Sequence, residues 1–194
     1  MDGIDLKFAR DYSDAVFVAV GGCGINTVSR MRKTGVTGAR TLCISRFEDE
    51  LSVKGDGVTS LVLLGKKATA VPVSEEERAN AEKQIREFLK GTKKVLLFAG
   101  LGGFTGTAIA PIVAATAKTE GAMLGMVITY PFKMEKRRCA AAEKAYPGLQ
   151  KLADDFVLMK NDDLIQMFRE MPIGDAFALR DKQIAEEIGK GAQR

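Results

Sequence analysis

Apolar positions along the chain gather into short continuous runs, most of them ended by glycine or a polar turn. Ala15–Val20 reads AVFVAV and stops at Gly21-Gly22, the form expected of a strand buried on both faces. Arg40–Ser45, Leu61–Leu64, Lys94–Ala99, Ala122–Thr129 and Phe156–Lys160 are further runs of strand length. Segments with helical spacing separate them. One runs from about Ile25 to Lys33, and a second opens on the capping box Ser74-Glu75-Glu76-Glu77 and reaches Gly91. Thr107–Thr119 and Glu135–Leu152 follow, with Pro111 placed in the first turn or so of its helix, where a missing N–H is harmless. An amphipathic helix over Asp175–Ile188 completes the pattern.

Strand and helix alternating at these lengths predict parallel strands joined by crossovers: an α/β three-layer sandwich with a mostly parallel, Rossmann-like sheet. Ligands are then expected at the carboxyl ends of the strands. No internal repeat, low-complexity stretch or linker divides the 194 residues, so a single domain over 1–194 is expected, with a polar lead-in at 1–13. A domain of this size buries roughly 70% of its unfolded surface and needs no disulfide or metal to hold it.

Composition narrows the chemistry. The balance of 29 basic and 25 acidic side chains leaves +4, too mild to argue for nucleic acid. The densest basic cluster, Lys133–Arg138, is short, contains Glu135 and also reads as an ordinary solvated helix start. Cys23, Cys43 and Cys139 are odd in number and far apart, which excludes a CxxC pair and suggests a reducing compartment. Histidine is absent, which removes Ser-His-Asp triads, histidine metal sites and an imidazole base together. Carboxylates, hydroxyls, backbone amides and a bound ion must carry any reaction. No apolar run approaches the roughly 20 residues of a membrane span, and the acidic N-terminus is unlike a signal peptide, so a cytoplasmic protein is expected.

Two glycine-rich turns stand between a strand and a helix. Gly21-Gly22-Cys23-Gly24-Ile25-Asn26 would let backbone approach an anion at a helix N-terminus. Alone it also fits a tight turn without a ligand. The dinucleotide fingerprint fails, because Thr27 stands where its last glycine or alanine belongs and the second strand ends in Ser45-Arg46. The second turn, Gly100-Leu101-Gly102-Gly103-Phe104-Thr105-Gly106-Thr107, joins backbone donors to two hydroxyls and forms a phosphate cradle without the P-loop lysine. Two such loops on one sheet are far more specific than either alone.

These residues carry a resemblance. GGFTGTA at Gly102–Ala108 resembles the GGGTG[ST]G signature of the FtsZ/tubulin family, and Val18–Val28 (VAVGGCGINTV) is similar to that family's first nucleotide loop. Val127–Glu135 (VITYPFKME), Lys160–Leu164 (KNDDL) and Asp175-Ala176-Phe177 followed by Asp181 resemble its next segments, in the right order, so that the likeness covers about residues 15–190.

The resemblance implies a GTP or GDP site, with magnesium accompanying the triphosphate. Gly21, Gly22, Cys23, Gly24 and Asn26 would hold phosphates together with Gly102, Gly103, Phe104, Thr105, Gly106 and Thr107. Pro131 and Glu135 would line the ribose, and Asn161 would sit near the sugar and base edge. Phe177 would stack on guanine, and Asp181 would accept from its edge. Without the resemblance, Phe177 also reads as a core position, Asp181 as a solvated helix acid and Asn161 as a turn residue.

Departures from the family pattern matter too. Phe104 replaces a glycine, which implies strain if that position needs a positive φ. Arg46 replaces an acid, Cys139 stands at an arginine position, and the third loop is reduced to Ala68-Thr69-Ala70-Val71-Pro72. Residues 175–190 correspond to the start of the family's central helix, which places Arg194 before the acidic loop and the second domain. On this reading the chain binds guanine nucleotide, hydrolyses it weakly or not at all by itself, and associates with a full-length FtsZ-like partner or a second copy in a cell-division or cytoskeletal polymer. A GTPase completed in trans and a nucleotide-free scaffold are the alternatives.

Overall fold

The structure, a computed structural model, describes residues 11–12, 14–37, 40–52, 58–62, 74–165 and 170–191. Its sheet has six strands: β1 (Val16–Val20), β2 (Arg40–Ser45), β3 (Thr59–Val62), β4 (Lys94–Gly100), β5 (Met123–Tyr130) and β6 (Asp155–Lys160). They lie in the order β3-β2-β1-β4-β5-β6, and every neighbouring pair is parallel. The helices are α1 (Gly21–Lys33), α2 (Glu48–Ser52), α3 (Glu75–Leu89), α4 (Phe104–Thr119), α5 (Lys136–Leu152) and α6 (Ile173–Gly191). This is the α/β sandwich that the alternation predicts.

The period of two along the strands sorts their side chains into two cores. Val16, Val18 and Val20 of β1 pack with Ile85 of α3, Ile109 and Val113 of α4 and Leu149 of α5. Phe17 and Ala19 point the other way, to Ile25 and Val28 of α1 and Ile184 and Ile188 of α6. Both faces of the central strands are therefore buried, which is why β1 and β4 read as unbroken apolar runs.

Several element boundaries differ from the expectation, each for a local reason. The turn of helix α1 starts at Gly21 itself, so the glycine loop is the helix's first turn rather than a linker before Ile25. In the same way α4 starts at Phe104, which leaves Pro111 well inside it instead of in the first turn. The proline has no N–H to give to the carbonyl of Thr107. Phe104 occupies the first helical position, while the left-handed residue of the loop is Gly102 (φ +89), so the feared strain at Phe104 does not arise. α2 went unpredicted because five acid-rich residues show no apolar period. β3 begins at Thr59; Leu63, Leu64 and Ala68–Pro72 lie outside the described residues. The capping box is present in both directions, with Glu77 N donating to Ser74 Oγ at 3.2 Å and Ser74 N to Glu77 Oε2 at 2.7 Å. Within the polar lead-in, Tyr12 is a core residue whose hydroxyl donates to Asp155.

Chain direction along the sheet reverses between β1 and β4. From β1 the chain moves outward through β2 to β3, then returns to place β4 on the other side of β1 and continues to β6. Ligands of open α/β sheets bind at such a switch point, beyond the carboxyl ends of the strands. Val20 and Ala99 are register partners there, so the two glycine-rich turns leave the sheet side by side.

Candidate functional site

Each turn is shaped by glycines with different duties. Gly21 (φ +68) and Gly102 (φ +89) adopt left-handed backbone that side chains rarely tolerate. Gly24 and Gly106 are small for another reason. A Cβ on Gly24 would stand 2.2 Å from the Phe98 carbonyl oxygen, and one on Gly106 would stand 2.0 Å from that of Gly100. These two glycines let α1 and α4 lie directly against β4. Among the described residues nothing lies within 4 Å of the Cβ position on Gly103.

Both helices reach the cavity without a side-chain cap from their own N-cap residues. Val20 and Gly103, the N-cap residues of α1 and α4, offer no side-chain hydrogen bond, and neither first turn contains an acid. The first amide groups of a helix have no intrahelical acceptor, and the macrodipole adds partial positive charge there. Gly102 N donates to Thr107 Oγ1 at 2.9 Å, which closes the second loop onto its helix and leaves the hydroxyl proton free to donate elsewhere.

The two turns share a cavity of about 900 Å³. Among the residues expected at the site, Gly21, Gly22, Cys23, Gly102 through Thr107, Pro131 and Asn161 line it. Gly24, Asn26, Glu135, Phe177 and Asp181 do not. Phe47, Glu50, Arg78, Thr129, Arg137 and Arg138 also line it. Phe47 and Glu50 could not be read from the sequence because they arrive on α2 and the turn before it. Arg78 follows from the capping box only once α3 is known to pack on the face of the sheet that carries Val16, Val18 and Val20. Glu50 packs on Gly22, and Ser45 Oγ donates to its Oε2. Arg46 turns away from the cavity: it is 3% exposed, with Nε 3.7 Å from Glu77 Oε1.

Glu135 fastens the corner after β5. Its Oε2 accepts from Phe132 N at 3.0 Å and its Oε1 from Arg138 Nη1 at 2.7 Å. Lys133 N reaches the Asp162 carboxylate at 3.3 Å, tying this corner to the 3-10 turn Asn161–Leu164 after β6. Cys23 opens onto the cavity, yet protein crowds its sulfur. That burial pushes its thiol up from the ordinary value, opposed by a hydrogen bond with Thr129 and by the guanidinium of Arg180.

Beyond Asn161 the site runs into the contact between α1 and α6. Asp181 has no exposed surface; its Oδ1 accepts from Thr27 Oγ1 at 3.0 Å and its Oδ2 from Arg30 Nη1 at 2.7 Å. Its neighbour Arg180 is also buried, which lowers its pKa, with Cys23 and Asp181 opposing. Arg180 Nη1 donates to Asn161 Oδ1 at 3.1 Å. No signal in the sequence marked Arg180, since a single basic residue on an amphipathic helix reads as exposed.

Comparison with known proteins gives a consistent result. The family model described as "Tubulin/FtsZ family, GTPase domain" matches residues 14–169. Cell division protein FtsZ 1 of Pyrococcus horikoshii is 37% identical over 180 residues, covering 88% of this chain and 48% of the relative. FtsZ 2 of Methanocaldococcus jannaschii is 35% identical over 178 residues, covering 89% and 47%. The chain thus spans about half the length of these curated relatives. Among solved structures, an empty FtsZ dimer from M. jannaschii superposes with a TM-score of 0.74 at 30% identity, covering 89% of this chain and 52% of that one. CetZ from Methanosaeta thermophila has the same TM-score at 16% identity, a likeness of fold alone.

Proposed function

Because the chain belongs to the tubulin/FtsZ family, matching its GTPase domain, we propose that it binds a guanine nucleotide, GDP or GTP, in the cavity at the β1–β4 switch point. The observation that carries this reading is the convergence on one cavity of two helix N-termini without a side-chain cap from their own N-cap residues. Backbone donors from Gly21 to Cys23 and from Gly103 to Thr107 would hold the phosphates, as anions are held at helix starts generally. Arg78, Arg137 and Arg138 on the lining add positive charge suited to a polyanion. Pro131 and Asn161 on the lining would border the sugar and the base, with Glu135 and Phe177 just behind them as the further contacts of those two groups. Magnesium would arrive with the triphosphate, held chiefly by phosphate oxygens and water. Titration calorimetry with GDP and GTP tests the proposal. Thr105→Ala with Thr107→Ala should weaken binding by roughly 1.5–3 kcal/mol for each hydroxyl bond to a charged oxygen. Absence of heat with either nucleotide at saturating concentration refutes it.

We assign binding rather than turnover to this chain alone. Among the described residues lining the cavity, Glu50 is the only carboxylate, and Ser45 already donates to it. A phosphate-release assay with the isolated chain should show turnover far below that of a full-length relative. The cellular role we propose is association with an FtsZ-like polymer through the cavity rim. Phe104 is 48% exposed there, beside the exposed Arg137 and Arg138. Arg137→Glu with Arg138→Glu should abolish any effect of this chain on light scattering by polymerising FtsZ, and the effect of the unaltered chain should weaken with salt. An equal effect from both proteins removes the rim from the interaction.

A further inference from the structure

Where the cavity ends at Asn161, groups suited to a nucleobase are engaged by the chain's own side chains, among them Phe177 just outside the lining. The Arg180 guanidinium carbon lies 4.9 Å from the centroid of the Phe177 ring, a cation–π distance that covers one face of the ring. The same guanidinium takes the acceptor oxygen of Asn161, which lines the cavity. Arg180 is only 3% exposed, and its Nε has no hydrogen-bond partner among the described residues. A buried cation with an unpaired N–H is a costly way to fill space, and an apolar side chain would serve packing better. Its neighbour Asp181 acts on it only through space, because the two carboxylate oxygens accept from Thr27 and Arg30 on α1.

We propose that Arg180 is a specificity-determining residue that competes with the nucleobase for the Phe177 face and the Asn161 oxygen. The inference rests on the nucleotide reading above and adds to it a division of the site. Phosphates meet the open cavity between the two glycine-rich turns. The base meets a position that Arg180 must yield, so apparent affinity is reduced by the fraction of time the position is free. A ligand with phosphates but no base is indifferent to the competition. Contacts beyond the phosphates therefore add little affinity while Arg180 is present.

The test compares the full chain with Arg180→Ala by calorimetry, using GDP and inorganic pyrophosphate as probes. GDP affinity should rise about tenfold or more in the variant, equivalent to about 1.4 kcal/mol, while pyrophosphate affinity should not rise. Arg180→Gln, shorter and uncharged but a good helix former, should move GDP affinity in the same direction and decides the matter if the alanine variant misfolds. Circular dichroism melts verify that each variant is folded. GDP affinity that is unchanged or weaker in the folded variants, with pyrophosphate still bound, overturns the competition and leaves the nucleotide reading intact. Failure of all three proteins to bind either GDP or GTP overturns both.

Discussion

Adding one methyl group to Gly106 separates two opposing physical arguments by sign. Gly106 lies inside α4, and helix propensity favours alanine over glycine there by about 1 kcal/mol. Propensity alone therefore predicts stabilisation. The tertiary structure predicts the reverse, because the new Cβ would stand 2.0 Å from the Gly100 carbonyl oxygen and 3.1 Å from its carbon. Both obstacles are backbone, so no side chain can swing aside. Relief requires moving the start of α4 away from β4 by about 1 Å, while Ile109, Ala110 and Val113 on the same helix remain locked in the core. Overpacking of this kind costs about 1–3 kcal/mol and more where backbone must shift. We expect a net loss of about 2 kcal/mol for Gly106→Ala. At about 2–4 °C per kcal/mol for a domain of this size, the melting temperature should fall by about 4–8 °C. Gly148→Ala is the control: Gly148 lies inside α5 with nothing among the described residues within 4 Å of its Cβ position, so propensity should act unopposed and raise stability by up to about 1 kcal/mol. Calorimetric melts of both variants decide the matter. If Gly106→Ala melts at or above the unaltered chain, the close approach of α4 to β4 is not rigid and the argument fails.

Two other perturbations probe the far side of the site. Asp181→Ala should lower the unfolding free energy by about 1–3 kcal/mol, read as a lower urea midpoint at unchanged slope, because it strands the Thr27 hydroxyl and leaves Arg30 without its anion. The Arg30 side chain is 37% exposed and can regain water, which keeps the cost below that of breaking a fully buried pair; wild-type stability in the variant would contradict this. For Cys23, burial raises the folded-state pKa above the unfolded one, so between the two values the native state holds a proton that the unfolded state has released. Stability from this group is complete below the unfolded value and declines as pH rises through the folded one. Urea midpoints should thus fall above about pH 8.5 more steeply in the unaltered chain than in Cys23→Ser, and identical pH profiles would exclude the effect.

Much of this molecule is set by local sequence. Continuous apolar runs specify strands that must be buried on both faces, and such strands leave little choice but a parallel sheet between helical layers. The capping box at Ser74, the glycine-rich turns and their place between strand and helix are also local facts, since each depends on backbone conformation within a few residues. Other features depend on distance along the chain. Nothing near Gly106 announces that the Gly100 carbonyl will face it, so a glycine suited to anion contact and one needed for packing look alike in the sequence. α2 owes its place beside Gly22 to Ser45 and the strand before it, not to any apolar period of its own. Asp181 and Arg180 are the clearest case. On α6 they are two adjacent charges of an amphipathic helix, and sequence alone places them in water. Only the packing of α6 against α1 and the turn after β6 buries them, joining Asp181 to Thr27 across 154 positions and Arg180 to Asn161. Local pattern determined which segments form strands and helices; the order of strands in the sheet, and with it the partners of every buried charge, was decided by how distant segments exclude water together.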